Sequence, residues 1–337
     1  MAIDRALSVV VIGRNEGERM ERCLRSIGTM ADPGCGVEVI YVDSGSTDGS
    51  VETARAMGAK VVELRAVRPT AALARNAGWQ QAKAPFVLFL DGDTTLDPQF
   101  VIRALPEFRE ERVAVVWGHR RESNAHGSIY NRVLDLDWIS APGETEFCGG
   151  DALVRRSALE QVSGYDAELI AGEEPEMCRR MRGKGLRIVH VDAPMTRHDL
   201  AMGTWAQYWR RARRTGYAYA EVSARFRGTG MPLWENEARG NRRRALALAG
   251  MTVLAIIFSA ALREAFPLAM AAGLFGLLVL RTAWNTRWKS DGAVTSILYG
   301  IHSHVQQIPI YLGQLEFARH SKSGSKRGLI EYKRVPR

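Results

Sequence analysis

The 337-residue chain is long enough for one large domain with an appendage or for two domains, and its 46% hydrophobic content permits a sizeable core. Its net charge of +9 is gathered into runs at 210–214, 239–244 and 322–337, which suits phosphate-bearing ligands or anionic lipid. The four cysteines (Cys23, Cys35, Cys148, Cys178) are widely spaced with no CxxC, which argues against a zinc site or a disulfide framework and fits a reducing cytosol.

The N-terminus runs straight into a strand, and no signal peptide is expected. Residues 7–12 (LSVVVI), 37–42 (VEVIYV), 59–64 (AKVVEL) and 85–90 (PFVLFL) read as buried parallel strands. Helical patterns separate them at 18–30, 49–57 and 71–83. Strands alternating with helices predict an α/β fold of right-handed βαβ units, with ligands at the carboxyl ends of the strands.

Those ends are polar. Arg14, Asn15 and Glu16 follow the first strand, Asp43, Ser46 and Asp48 the second, and Asp91-Gly92-Asp93 the fourth. Turns alone do not require acid at each end. Two carboxylates at a strand tip suit Mg²⁺ or Mn²⁺, ions that take one or two carboxylates plus substrate phosphates. Asp48 is expected to cap the following helix. No GxGxxG follows the first strand and no GxxxxGK[ST] occurs, so neither a Rossmann dinucleotide site nor a P-loop is expected.

The ordered set VVVIGRNE, LRSI, VIYVDSGSTDGS and ARNAGWQQAKAPFVLFLDGDTTLDP resembles the nucleotide-sugar-binding half of family 2 glycosyltransferases, which have the GT-A fold. The resemblance runs from about residue 7 to about 217. It implies a nucleoside-diphosphate sugar donor, a divalent metal and inversion at the anomeric carbon. By that resemblance Glu16 and Asp43 contact the nucleobase and ribose, Arg14 belongs to the donor-binding set, and Arg75 with Asn76 faces the donor diphosphate. Asp93 is the leading metal ligand, with Asp91 acting through water or the ribose. His198, at a later strand end, is a candidate third metal contact.

The stretch 146–191 reads as strand, helix, loop, helix, strand. Pro175 suits the first turn of its second helix, which places Glu173 and Glu174 at the N-terminus, where the helix dipole favours ionised carboxylates. The family usually has Glu-Asp here. Glu174 therefore takes the Asp position and the role of general base, with Glu173 beside it. Further on, Gln207 and Arg210 match the QxxRW motif of membrane-bound members. Arg211 replaces the tryptophan and Trp209 stands two residues earlier, so all four are candidates for acceptor or diphosphate contacts. An amphipathic basic helix lying on anionic lipid is the other reading of this stretch.

Residues 245–262 carry no charge. At ~1.5 Å per residue they span roughly 27 Å, close to the ~30 Å of bilayer hydrocarbon. A second apolar run covers 265–280, so the pair predicts a transmembrane hairpin. RGNRRR before the first run and RTAWNTRWK after the second predict cytoplasmic outer ends. Pro309 interrupts a mixed segment read as interfacial or re-entrant helices ahead of a basic tail, and His302 and His304 are too isolated to suggest a metal.

The expected layout is a catalytic GT-A domain over 1–225, a basic linker over 226–244, the hairpin over 245–280 and interfacial helices with a basic tail over 281–337. The expected function is metal-dependent inverting sugar transfer to a lipid-linked or polysaccharide acceptor at the cytoplasmic membrane face. The expected partners are a nucleoside-diphosphate sugar, that acceptor and membrane lipids, with no nucleic acid, because the basic runs flank apolar spans. The alternatives are a membrane-anchored nucleotidyltransferase, which would be expected to have a basic Gly-rich start in place of GRNEGE, and a non-catalytic membrane scaffold, which the full acidic set disfavours.

Overall fold

The computed structural model describes residues 7–34, 36–290 and 292–324. Cys35, the first six residues of the expected catalytic domain and 325–337 of the expected basic tail lie outside the described residues. The described chain forms two compact units: the first comprises 7–124 and 138–201, the second 125–137 and 202–324.

The first unit holds β1 (Leu7–Gly13), α1 (Glu18–Gly28), β2 (Val37–Asp43), α2 (Ser50–Ala56), β3 (Lys60–Glu63), α3 (Ala71–Trp79), β4 (Phe86–Asp91), β5 (Thr94–Leu96) and α4 (Phe100–Ala104). β6 (Val113–Glu122) completes its first half. Chain order then passes through α5 (Ile129–Asp137) of the second unit. It returns with β7 (Gly143–Thr145), β8 (Ala152–Arg155), α6 (Arg156–Val162), α7 (Glu173–Gly183) and β9 (Arg187–His198).

The sheet order is β3-β2-β1-β4-β8-β6-β9-β5, with β7 on β9. Its β-branched and leucine-rich central strands are buried on both faces, as helix-covered parallel strands must be. Side chains alternate between two cores. Val9, Val11, Leu88 and Leu90 pack on one face with Met20 and Phe100; Val10, Ile12, Val87 and Phe89 pack on the other with Leu159 and Met177.

The predicted strands and helices of the first ninety residues form. The patterning does not mark β6 and α5. It also does not foretell that β8 runs antiparallel to both β4 and β6. A short apolar run has the same pattern in either direction, so only its pairing partner sets its sense. Register then aligns the strand tips: Gly13 of β1 lies opposite Asp43 of β2, and Ile12 lies opposite Asp91 of β4.

The second unit holds α5, α8 (Trp205–Phe226), α9 (Glu235–Leu262), α10 (Phe266–Asn285), α11 (Ala293–Val305) and α12 (Gln307–Ser323). The run Arg239–Arg244 is helical and continuous with the apolar stretch of α9. α9 and α10 are long and apolar enough to cross a membrane, with mean hydropathy of 2.3 and 1.7 over their most apolar windows. Val253, Leu254, Ile257, Phe258, Leu274 and Leu277 are exposed along them.

α8 and α12 cross at two glycines. A Cβ at Gly216 would stand 1.8 Å from the Ile310 carbonyl oxygen, and one at Gly313 2.1 Å from that of Arg213. Only glycine permits this backbone approach. Beside the crossing, Arg213 and Glu316 pair at 2.7 Å. The buried His302 anchors a polar network whose carboxylate, Asp137, is 30% exposed. The imidazole bonds the Tyr208 hydroxyl at 2.8 Å and the Asp137 carboxylate at 3.2 Å, and Tyr299 donates to Asp137 at 2.9 Å. Burial would raise the Asp137 carboxyl, but His302, Arg211 and the Tyr299 hydroxyl together hold the group below its ordinary range.

Candidate active site

The site in the first unit starts at the tip of β4. Gly92 separates the two carboxylates because the turn docks on β1: its N–H donates to the Ile12 carbonyl at 2.8 Å, and a Cβ would meet that oxygen at 3.0 Å. The turn projects Asp93 toward β9. Thr94 pairs with His198, and the Asp199 N–H donates to the Asp93 carbonyl at 3.0 Å. These contacts bring the buried His198 Nε2 to 3.3 Å from the buried Asp93 Oδ1. Asp91, Asp93 and His198 each offer a ligand atom, and the three lie within 4.8 Å of one another. Two carboxylates and an imidazole, two of the three groups buried, form a donor set that fits a divalent cation.

Asp91 is gripped from two sides. Arg75 Nη2 lies 2.8 Å from its Oδ1, and Arg120 Nη2 lies 3.3 Å from its Oδ2. Its N–H donates to Asp151 Oδ1 at 3.0 Å. Asp151 also accepts from the Thr196 hydroxyl at 2.7 Å. Burial, reinforced by the Asp91 charge, raises the Asp151 carboxyl against the opposing pull of Arg120. A Cβ at Gly150 would lie 2.6 Å from Arg75 Nη2 and 2.9 Å from Asp91 Oδ2, so a glycine there leaves room for the pair.

Arg75 projects from α3, whose N-cap Thr70 accepts from the Leu73 N–H at 3.1 Å. Its guanidinium is 2% exposed and also reaches Glu173 Oε1 and Glu174 Oε1, each at 2.9 Å. Burial would lower its pKa, but the charges of Glu174, Asp91 and Glu173 raise it well above the ordinary value. The arginine thus joins the β4 tip to the first turn of α7. That helix begins after Gly172 in the left-handed region (φ 84°), with Pro175 in its first turn. Burial and the neighbouring Glu173 charge push the Glu174 carboxyl up to about 7, against the lowering effect of Arg75.

At the β1 and β2 tips, Asp43 is spent on its own turn. Its carboxylate accepts the Gly45 and Ser46 N–H groups at 2.9 and 2.8 Å. Asn15, at φ 54°, bridges to this turn by donating its N–H to Ser46 Oγ at 2.9 Å and accepting the Thr47 N–H at 2.7 Å. Glu16 pairs with Arg19 at 3.0 Å, and Arg14 is exposed. Asp48 accepts from the Ser50 N–H at the start of α2 at 3.1 Å.

The structure therefore gathers Arg75, Asp91, Asp93, Glu173, Glu174 and His198 around one strand tip. Gln207, Trp209, Arg210 and Arg211 lie on α8 of the second unit. There Gln207 closes a capping box, taking the Thr204 N–H at 3.0 Å while its own N–H reaches the Thr204 hydroxyl at 3.3 Å. Two site residues escape the sequence reading. Arg120 stands near the carboxyl end of β6, where the strand-end rule would have found it had β6 been marked. Asp151 precedes β8 and needs that strand's antiparallel sense to reach Asp91.

Family comparisons agree with this architecture. The profile of glycosyl transferase family group 2 matches residues 86–289, and that of glycosyl transferase family 2 matches residues 8–163. The glycosyltransferase AglE of Haloferax volcanii is 24% identical over 188 residues, 53% of this chain and 62% of that one. The pre-mycofactocin glycosyltransferase of Mycobacterium tuberculosis is 29% identical over 211 residues, 58% of this chain and 43% of that one. The match thus covers less than two thirds of either relative. The mannosyltransferase PcManGT of Pyrobaculum calidifontis, solved with GDP-Man and Mn²⁺, superposes with a TM-score of 0.64 at 18% identity, over 88% of this chain and 86% of that one. With a family profile spanning more than half its length and a mixed sheet that carries its acidic cluster at the strand tips, the chain belongs to glycosyltransferase family 2 and has the GT-A fold.

Proposed function

We propose that this glycosyltransferase moves a sugar from a nucleoside-diphosphate sugar to a hydroxyl of a lipid-linked or saccharide acceptor, with inversion, at the cytoplasmic face of a membrane. The observation that carries the reading is the clustering of Asp91, Asp93 and His198 beside the Arg75-held pair Glu173 and Glu174. The nucleotide-sugar and Mn²⁺ complex of the mannosyltransferase neighbour supports it.

Glu174 acts as the base. Its side chain is 14% exposed and that of Glu173 is 5%, so Glu174 is the one that can reach a substrate hydroxyl. It accepts the acceptor's proton as that oxygen attacks C1 and the bond from C1 to the diphosphate oxygen breaks. The nucleoside diphosphate departs with the electron pair. Arg75 holds the base in place, with Glu173 on the same guanidinium, and much of the rate comes from orienting two bound substrates. Asp93 and His198 would hold the divalent ion, with Asp91 alongside. Bound there, it would supply positive charge to the leaving diphosphate.

Asp43, Glu16 and Arg14 border the nucleoside in this reading. Gln207, Trp209, Arg210 and Arg211 are assigned to the acceptor or diphosphate from their motif alone. α9 and α10 form the membrane hairpin, because their exposed apolar side chains match lipid and basic residues flank both outer ends.

The test is a donor screen on the purified full chain in detergent, with and without EDTA. Turnover of at least one nucleotide sugar, lost with EDTA and restored by Mn²⁺, is expected. Glu174→Gln should keep donor binding and lose transfer, whereas Asp93→Ala should lose metal-dependent donor binding. Failure of every nucleotide sugar under every metal condition would overturn the reading.

A further inference from the structure

Trp138 opens the return of the chain into the first unit, and the assigned roles leave it unused. Its half-buried indole touches two residues that themselves contact the acidic pair. The Arg120 guanidinium lies over the ring at 5.0 Å from its centroid, and the His198 ring meets it at 5.1 Å, tilted by 66°. Arg120 reaches Asp91 at 3.3 Å, and His198 reaches Asp93 at 3.3 Å. The indole is thus held in a defined place beside the carboxylates that would hold the ion meeting the donor's diphosphate.

Sheet order says which part of a donor falls there. The nucleoside end of the proposed site lies at the tips of β1 and β2, and the two aspartates lie at the tip of β4. Arg120 and His198 are borne by β6 and β9, beyond β8 on the opposite side of β4. Neighbouring strands are about 4.8 Å apart, so β6 stands roughly 10 Å past β4 along the sheet edge. A nucleotide sugar running from the β1 and β2 tips across β4 would bring its sugar to the β6 and β9 side. A pyranose presents a face of C–H groups that packs on an aromatic ring, whereas a diphosphate does not.

We propose that Trp138 is the platform for the donor's sugar ring, seated by Arg120 and His198, so that it contributes to recognition of the hexosyl group and not of the nucleotide. The inference rests on the nucleotide-sugar reading above and adds the residue that recognises the sugar.

A comparison of nucleotide with nucleotide sugar isolates that contact. Dissociation constants for UDP, UDP-glucose, GDP and GDP-mannose would be measured by titration calorimetry with Mn²⁺ on the full chain in detergent, for wild type, Trp138→Leu and Trp138→Phe. For a sugar nucleotide that wild type binds, Trp138→Leu should weaken affinity about tenfold while leaving the matching nucleoside diphosphate unchanged, and Trp138→Phe should recover most of the loss. Equal weakening of nucleotide and sugar nucleotide would overturn the proposal, since Trp138 would then act only by holding Arg120 and His198. Unchanged affinity for both would overturn it in favour of an acceptor contact or none. If Trp138→Leu did not fold, as judged by circular dichroism and gel filtration, Trp138→Phe and Trp138→Tyr would carry the same comparison, with the preference for sugar nucleotide retained only if the ring is the platform. Wild type that bound neither sugar nucleotide nor any other in a wider panel would sink the donor reading itself, a result visible without any variant.

Discussion

Arg75 Nη2 sits 2.8 Å from Asp91 Oδ1, and the same 2%-exposed guanidinium holds Glu173 and Glu174 at 2.9 Å each. One buried cation therefore fixes the spacing between the proposed metal-side carboxylates and the proposed base. Removing it strands Glu173 and Glu174 in a low-dielectric setting and leaves Asp91 to Arg120 alone, and breaking a buried pair in this way costs roughly 3–5 kcal/mol. Arg75→Met should lower the unfolding midpoint of the full chain strongly in a thermal or denaturant titration, and Arg75→Lys should recover part of the loss. A Met variant as stable as wild type would show that the clasp is not what holds α7 to the β4 tip.

The raised Glu174 carboxyl gives a pH signature. Its pKa of about 7 in the fold stands above the ordinary 4.5. A base must be ionised, so transfer should fall as pH drops through about 7, and the limb should be absent from the residual rate of Glu174→Gln. Stability runs the opposite way. The carboxyl binds its proton more tightly folded than unfolded, so this contribution is fully present below about 4.5 and is lost as pH rises through 7. The stability of wild type relative to Glu174→Gln should therefore decline across that window. A flat difference between pH 4.5 and 7 would show that the carboxyl is not raised.

His198 and Asp93 make a separable prediction about metal. Mn²⁺ affinity, followed by the loss of the free-ion electron paramagnetic resonance signal, should drop at least about tenfold in His198→Ala and in Asp93→Asn, since each removes a ligand. Asp91→Asn should lose less, because both Asp91 oxygens already face arginines. If Asp91→Asn proved the most damaging of the three, the ion would sit on the Arg75 side of the pair instead.

In the second unit, Gly313→Ala should separate α8 from α12. The added methyl would lie 2.1 Å from the Arg213 carbonyl oxygen, and overpacking of this kind costs roughly 1–3 kcal/mol. Gly276→Ala on α10 is the control, because nothing stands within 4 Å of its Cβ position. Melting in detergent should show a lower midpoint for the first variant and no loss for the second. Equal behaviour would mean that the two helices do not cross so closely.

Much of the first unit was legible from residues alone. Continuous β-branched runs, turn residues and helix-length spacers marked β1 to β4 and α1 to α3. Acid at successive strand ends pointed to Asp43, Asp91 and Asp93 before any pairing was known. Local chemistry suffices there because each signal lies within a dozen residues. The apolar runs of α9 and α10 were legible for the same reason.

Tertiary structure decided what depended on partners distant in sequence. Arg75 reads locally as a helix residue near the donor, yet its neighbours come from β4 and α7. Arg120, Asp151 and Trp138 acquire meaning only once β8 turns antiparallel and β9 pairs with β6 and β5, a choice that strand patterning cannot encode because side-chain alternation is the same in both directions. Gly216 and Gly313, dispersed in sequence, become necessary only where two helix backbones meet. Composition and periodicity thus settle which segments are built and which ends are polar, while the pairing of distant segments selects the side chains that share one low-dielectric site.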